Sequence, residues 1–150
     1  MIKRNTIGFS MAKICRLKRR LIDVDMKKLD ICRSKWQTLV WMHLLGPCSQ
    51  QDLLKHLEID AAHLARVLEA FEREQWIVRT RSPNDRRALL IEITPLCQHN
   101  IMPKIEATLK KENNSMLKGL TTEDKATLTY LLKIIENNLY MLLESEVHHE

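Results

Sequence analysis

The stretch Arg79-Thr80-Arg81-Ser82-Pro83-Asn84-Asp85-Arg86-Arg87, followed by Ala88-Leu89-Leu90-Ile91 and Glu92-Ile93-Thr94, constrains the fold more than any other part of the chain. It reads as a strand, a tight turn and a returning strand. Pro83 presets φ at the second turn position, while Asn84 and Asp85 can hydrogen-bond their own local backbone. Trp76-Ile77-Val78 opens the outgoing strand, and Leu89, Ile91 and Ile93 alternate with Leu90 and Glu92 on the return. Four arginines and one aspartate crowd the turn. A catalytic hairpin needs a nucleophile or an acid-base pair, whereas fixed positive charge on a rigid projection suits phosphate and groove contacts.

Everything around this hairpin has helical periodicity. From Ile7 to about Met26, the residues Ile7, Met11, Ile14, Leu17 and Leu21 recur at three- and four-residue spacing, which predicts an amphipathic helix. A second helix is expected from about Ser34 to Leu45, burying Trp36, Leu39, Val40 and Met42 or His43, with Gly46-Pro47 as its stop. Ser49-Gln50-Gln51-Asp52 resembles a capping box for a short helix from Gln50 to His56. Asp60 caps the next helix, whose apolar face is Leu64, Val67, Leu68 and Phe71 and whose opposite face presents Ala62, His63, Arg66, Glu69 and Arg73. A short capped helix, a turn and a second helix with small and basic outward residues fit a helix-turn-helix. With the basic ribbon beside it, the pattern is a winged helix.

Thr94-Pro95 starts a further helix, and Pro103 inside it predicts a kink near Cys97 to His99 or an early restart. The sequence from Thr121 caps a final helix with the stripe Leu128, Leu131, Leu132, Ile135, Leu139, Leu142 and Leu143. A helix of about 25 residues spans roughly 38 Å, longer than a small winged domain needs for its own core. Its surplus apolar surface, with that of the first helix, is expected to meet a second copy in a homodimer.

Composition narrows the function. The chain has 150 residues and a net charge of +5, with seven basic residues and no acid among positions 1 to 20. Such an arm can contact phosphates, and equally can be a solvated helix face. No run approaches the ~20 apolar residues that span a bilayer, so no membrane association is expected. No signal-peptide core is evident, and four scattered cysteines without a CxxC pair favour a reducing cytoplasm. His43, His56, His63 and His99 lack a cysteine or carboxylate at ligand spacing, so neither a metal nor a cofactor is expected. No nucleophile elbow, phosphate-cradling glycine loop or paired acid-base motif marks an enzyme.

The residues Leu21-Ile22-Asp23, Trp36-Gln37-Thr38-Leu39, Leu64-Ala65-Arg66-Val67-Leu68 and, above all, Asp85-Arg86-Arg87 with Ile91-Glu92-Ile93-Thr94 give a chain that resembles the MarR family of bacterial transcription regulators, and within it the SlyA-like branch. The resemblance covers nearly the whole chain. It implies a mainly α dimer with a small β-hairpin wing: a winged helix-turn-helix DNA-binding lobe over about 34–95, and a helical dimerisation region over about 5–28 and 96–147, its first, fifth and sixth helices intertwined. By the same resemblance Ala62, His63 and Arg66 face the major groove of double-stranded DNA at a pseudo-palindromic site, and Arg87 enters the minor groove. Asp85 orients an arginine, since a carboxylate beside phosphates is repulsive unless paired. Arg86 either tracks a phosphate or shares the minor groove. Ser49 and Gln50, at a helix N-terminus, are expected to donate to a phosphate. Two departures stand out. SlyA-like proteins tend to carry proline and serine where this chain has Ala62-His63, and Cys32 stands where a threonine cap is expected.

Family analogy further implies a crevice for a small aromatic anion, with Trp36 and His43 as its wall and Arg16 among its anion partners, although Trp36 equally serves as core filler. Cys32 at a helix N-terminus is open to a redox-sensing role; burial as an inert thiol is the simpler expectation, as it is for Cys15. A winged helix acting as a protein-interaction module is the alternative function, because fold alone does not fix function.

Overall fold

The computed structural model describes residues 6–82 and 89–147. The chain divides into two compact units, Met1–Glu112 and Asn113–Glu150. In chain order the first contains α1 (Ile7–Lys27), α2 (Arg33–Leu45), α3 (Gln50–Leu54), α4 (Ala61–Arg73), β1 (Ile77–Arg81), β2 (Leu89–Ile93), α5 (Pro95–Asn100) and most of α6 (Met102–Met116). The second contains the end of α6 and the long α7 (Thr122–Val147).

Local chemistry sets most of these boundaries. The Thr6 hydroxyl accepts from the Phe9 amide at α1, and the Asp60 carboxylate accepts from the His63 amide at 2.7 Å at α4. Ser49 and Asp52 form a complete capping box at α3, satisfying two amides that a helix start would otherwise leave orphaned. Gly46, at φ +70, closes α2 in a backbone region that a side chain resists. Pro103 produces a restart. Helix α5 ends at Asn100, Ile101 leaves ideal helical geometry at φ −107, and α6 begins at Met102, which puts the proline in a first turn where its missing N–H costs little. Thr121 and Asp124 exchange hydrogen bonds at the start of α7.

Packing then selects among residues that periodicity leaves equivalent. Leu64, Val67, Leu68 and Phe71 of α4 are buried against Trp36, Leu39 and Met42 of α2, Leu53 of α3, and Ile77 and Ile91 of the ribbon. Between Met42 and His43, the methionine is buried and the histidine exposed. The strands pair antiparallel from Ile77↔Ile93 to Arg81↔Leu89. A bridge absent from the periodicity reading, Cys48↔Ile91, fastens the segment between α2 and α3 to the ribbon through two backbone hydrogen bonds of 3.2 and 2.8 Å. Helix α1 contributes Ile22 and Met26 to this core, whereas its other stripe, Ile7, Ile14, Leu17, Leu21 and Val24, is exposed.

Candidate nucleic-acid interface

Helices α3 and α4 carry those of the predicted DNA-reading residues that are described. On α4, Ala62 and Arg66 are exposed opposite the buried Leu64–Phe71 face, and His63 is half-buried. Arg66 makes no ion pair among the described residues; Glu74, one of its conceivable acceptors, instead takes Lys35 at 2.6 Å. The guanidinium of Arg66 therefore remains available to an outside acceptor.

Ser49 is committed to its own helix. Its hydroxyl donates to Asp52 Oδ2 at 2.7 Å and accepts from the Asp52 amide at 3.1 Å, while its backbone amide also donates to that carboxylate. Lys55 and Ser49 together hold the Asp52 carboxyl well below the usual range. Gln50 Nε2 reaches the Ala61 carbonyl at 3.5 Å, linking α3 to the first turn of α4. Asp85, Arg86 and Arg87 lie outside the described residues.

The two wing arginines that are described differ sharply. Arg81 is exposed with no ion pair among the described residues, whereas Arg79 Nε donates to Glu72 Oε1 at 2.6 Å. Other basic residues are similarly tied down across long stretches of sequence. Arg19 of α1 forms a two-pronged pair with Glu58 in the turn between α3 and α4, at 2.6 and 3.0 Å. Arg33 Nε donates to Asp23 at 2.8 Å, and the same carboxylate receives the Trp36 indole N–H at 3.2 Å. Burial alone would raise the Asp23 carboxyl, but these two donors outweigh it and hold it below the usual range.

The residues assigned to a ligand crevice are not gathered into one cavity. Arg16 lines a cavity of about 290 Å³ with Ala12, Cys15, Arg19, Arg20 and Arg33. His43 lines a separate one of about 150 Å³ with Gly46, Pro47 and Glu92 among its walls. Trp36 is a core residue at 7% exposure, its indole directed to Asp23. The cysteines also correct an expectation: Cys15 and Cys32 are exposed, not buried. Cys32 is the N-cap of α2, a position held at the helix rim, and its thiol makes no capping bond to the helix amides. Cys48 and Cys97 occupy the core instead; burial, reinforced by the charge of Glu74, pushes the Cys97 thiol up to about 11.

Among the described residues no group of three or more His, Cys, Asp or Glu is placed to hold a metal ion, and no helix is long and apolar enough to cross a membrane.

The MarR family profile matches residues 31–89, from the end of the α1–α2 turn into β2. Wild-type MarR from E. coli in its apo form is similar at a TM-score of 0.75 and 25% identity, covering 89% of this chain and 98% of that one. A mutant of E. coli MarR complexed with operator DNA gives 0.69 and 26%, covering 86% and 92%. A probable transcriptional regulator from Pseudomonas aeruginosa gives 0.66 and 25%, covering 87% and 97%. The MarR profile thus covers the stretch that carries the helix-turn-helix and the ribbon, and the chain has the winged-helix fold of these MarR structures.

Proposed function

We propose that this protein is a transcription regulator of the SlyA-like type that binds double-stranded DNA as a homodimer, at a pseudo-palindromic site of two half-sites about one helical turn, ~10 bp, apart. The observation that carries this reading is the outward face of α4, where Ala62 and Arg66, the latter without an ion pair among the described residues, stand exposed beside a basic ribbon. In E. coli MarR, 26% identical to this chain, the same fold is known complexed with operator DNA. In this reading Ala62, His63 and Arg66 read the major groove, Arg87 the minor groove, and Arg86 a phosphate or that same groove, with Asp85 orienting an arginine. Ser49 and Gln50 sit beside a phosphate, which the first-turn amides of α3 serve more readily than the Ser49 hydroxyl, already held by Asp52. The interaction-module alternative leaves Arg66 and Arg81, both exposed, without a task.

A salt series on duplex DNA tests the reading. Binding should weaken steeply as ionic strength rises, because each neutralised phosphate releases a counterion. Arg87→Ala should weaken binding to a selected site by roughly 1–3 kcal/mol without changing dimerisation. Affinity that ignores salt would leave the interaction-module reading in its place.

The cavity beside Arg16 and Arg20 favours a second element of the proposal, modulation by a small aromatic anion, since neither guanidinium has an ion pair among the described residues. A ligand that prefers lobes spaced wrongly for DNA would lower DNA affinity by population shift. Salicylate titrated against a preformed complex should release DNA, and Arg16→Gln should blunt the response; a complex indifferent to phenolic acids removes this element.

A further inference from the structure

Arginines of one wing look interchangeable in sequence, yet β1 gives them different surroundings. Strand alternation puts Ile77, Arg79 and Arg81 on one face. Ile77 on that face is buried, as is Ile91, the residue directly opposite Arg79. Arg79 therefore lies on the side of the ribbon that turns toward the core, and there it meets Glu72 of α4 at 2.6 Å. The two side chains are 29% and 37% exposed, so the pair is partly shielded from water.

Three more contacts surround the joint between α4 and the ribbon. The Phe71 and Trp76 rings pack at 5.5 Å, and the Thr94 hydroxyl donates to the Gln75 carbonyl at 2.7 Å. Lys35, paired with Glu74, sits 5.3 Å from the Trp76 ring centre. Gln75, at φ +58, closes α4 as a left-handed cap, with the Trp76 amide donating to the Phe71 carbonyl at 2.8 Å. The joint between recognition helix and wing is thus held by the cap of α4 together with these side-chain contacts.

We propose that Arg79 is a positioning residue: through Glu72 it sets the angle between the recognition helix and the wing, and so the spacing of the two DNA-reading elements, without touching DNA. The inference rests on the DNA-binding function proposed above. An arginine already matched by a carboxylate displaces few counterions from DNA, so it adds little to salt-dependent affinity. A reading element that is loose by about 1 Å loses specificity even when every contact residue is present.

The test uses the full chain in fluorescence anisotropy over a salt series. One duplex is selected by the wild type from a random-sequence pool, and a second has unrelated sequence. Glu72→Gln and Arg79→Gln should each weaken binding to the selected duplex by about threefold to thirtyfold, the range for residues coupled in one network. Arg79→Lys, which keeps a charge pair, should weaken it less. Affinity for the unrelated duplex and the slope of log affinity against log salt should stay at wild-type values.

The sign of the Glu72→Gln effect decides the matter. Removing a carboxylate near phosphates strengthens binding if Arg79 is a phosphate contact, and weakens specific binding if Arg79 depends on that carboxylate for its position. Strengthened binding, or a slope reduced by about one in Arg79→Gln, overturns the positioning role. Should Arg79→Gln melt early, Glu72→Gln carries the test, since it only neutralises a partly exposed helix side chain of nearly the same size. A selected duplex to which all three variants bind like wild type overturns the positioning role alone; a wild type that enriches no duplex removes the DNA-binding function and this inference with it.

Discussion

Leucines on α4 and leucines on α7 share residue type and helical state but differ in what surrounds them. Leu64 and Leu68 are fully buried, along with Phe71, inside the winged-helix body. Leu131, Leu139, Leu142 and Leu143 stand 49% to 65% exposed along α7. The body has finished its packing within one chain, and the long helix has not. Contiguous exposed apolar surface of this kind marks an interaction site. Helix α1 takes part in both regimes, sending Ile22 and Met26 inward while Ile7, Ile14 and Val24 face out. The contrast puts the single-chain core in the body and leaves apolar surface on the two long helices uncovered, as the proposed homodimer requires.

The largest effect expected from breaking this contrast is in the body. Phe71→Ala should cost about 3–5 kcal/mol of unfolding free energy, as transfer and cavity terms add, with a matching fall in the denaturant midpoint. A change below about 1 kcal/mol would mean that the α4 face is less tightly packed than its burial indicates.

The converse substitution targets α7. Leu131→Asp combined with Leu139→Asp should leave the helical signal of the body intact and shift sedimentation to that of a monomer. Affinity for a two-half-site duplex should then fall by about a hundredfold, as the second binding event loses its intramolecular advantage. A double variant that still sediments as a dimer takes α7 out of the interface.

A smaller effect belongs to the joint between the wing and α5. Thr94→Val removes the hydroxyl that accepts from the Cys97 amide and donates to Gln75, and should cost about 1 kcal/mol. Hydrogen exchange at the first turn of α5 should rise with it; unchanged exchange would mean that Pro95 alone sustains the helix start.

The smallest is a pH effect where α1 meets α6. Lys111 and Lys28 hold the Asp25 carboxyl far below its usual range, so its contribution is present above the pH at which an unfolded aspartate ionises and is lost only in strong acid. Glu112 behaves in the opposite sense. Burial, and then its hydrogen bond with Asp25, raise its carboxyl, so its contribution is complete in acid and declines as pH climbs past the unfolded value of ~4.3. Glu112→Gln, neutral throughout, should melt with the wild type near pH 4 and above it at pH 8. A glutamine variant that melts lower at pH 8 would show that ion pairing with Lys111, at 3.9 Å, outweighs burial.

Much of the fold was legible in the residues themselves. The capping residues Ser49, Asp60, Thr94 and Thr121, the stop at Gly46-Pro47 and the interruption at Pro103 each act within about one helical turn, and each appears where local chemistry puts it. The α4 core face was equally legible, because a 3.6-residue period separates two faces without reference to the rest of the chain. The candidate site was only half legible. Ala62 and Arg66 follow from that same period, whereas Arg79 read only as one of four arginines crowding the turn, with no short-range signal of its pairing to Glu72, and Trp36 fitted a ligand wall as well as a core.

The sequence by itself determined where α3, α4, α5 and α7 begin, where α2 stops, and which α4 face turns inward, because those signals are carried by residues a few positions apart. Only the tertiary structure decided which charges and thiols are free. Arg19 meets Glu58 across 39 positions, as Lys35 meets Glu74, and Cys48 is sealed by its bridge to Ile91 while Cys32 stays open at a helix rim. No short-range pattern encodes those outcomes, since exposure and ion pairing depend on what the rest of the chain brings alongside.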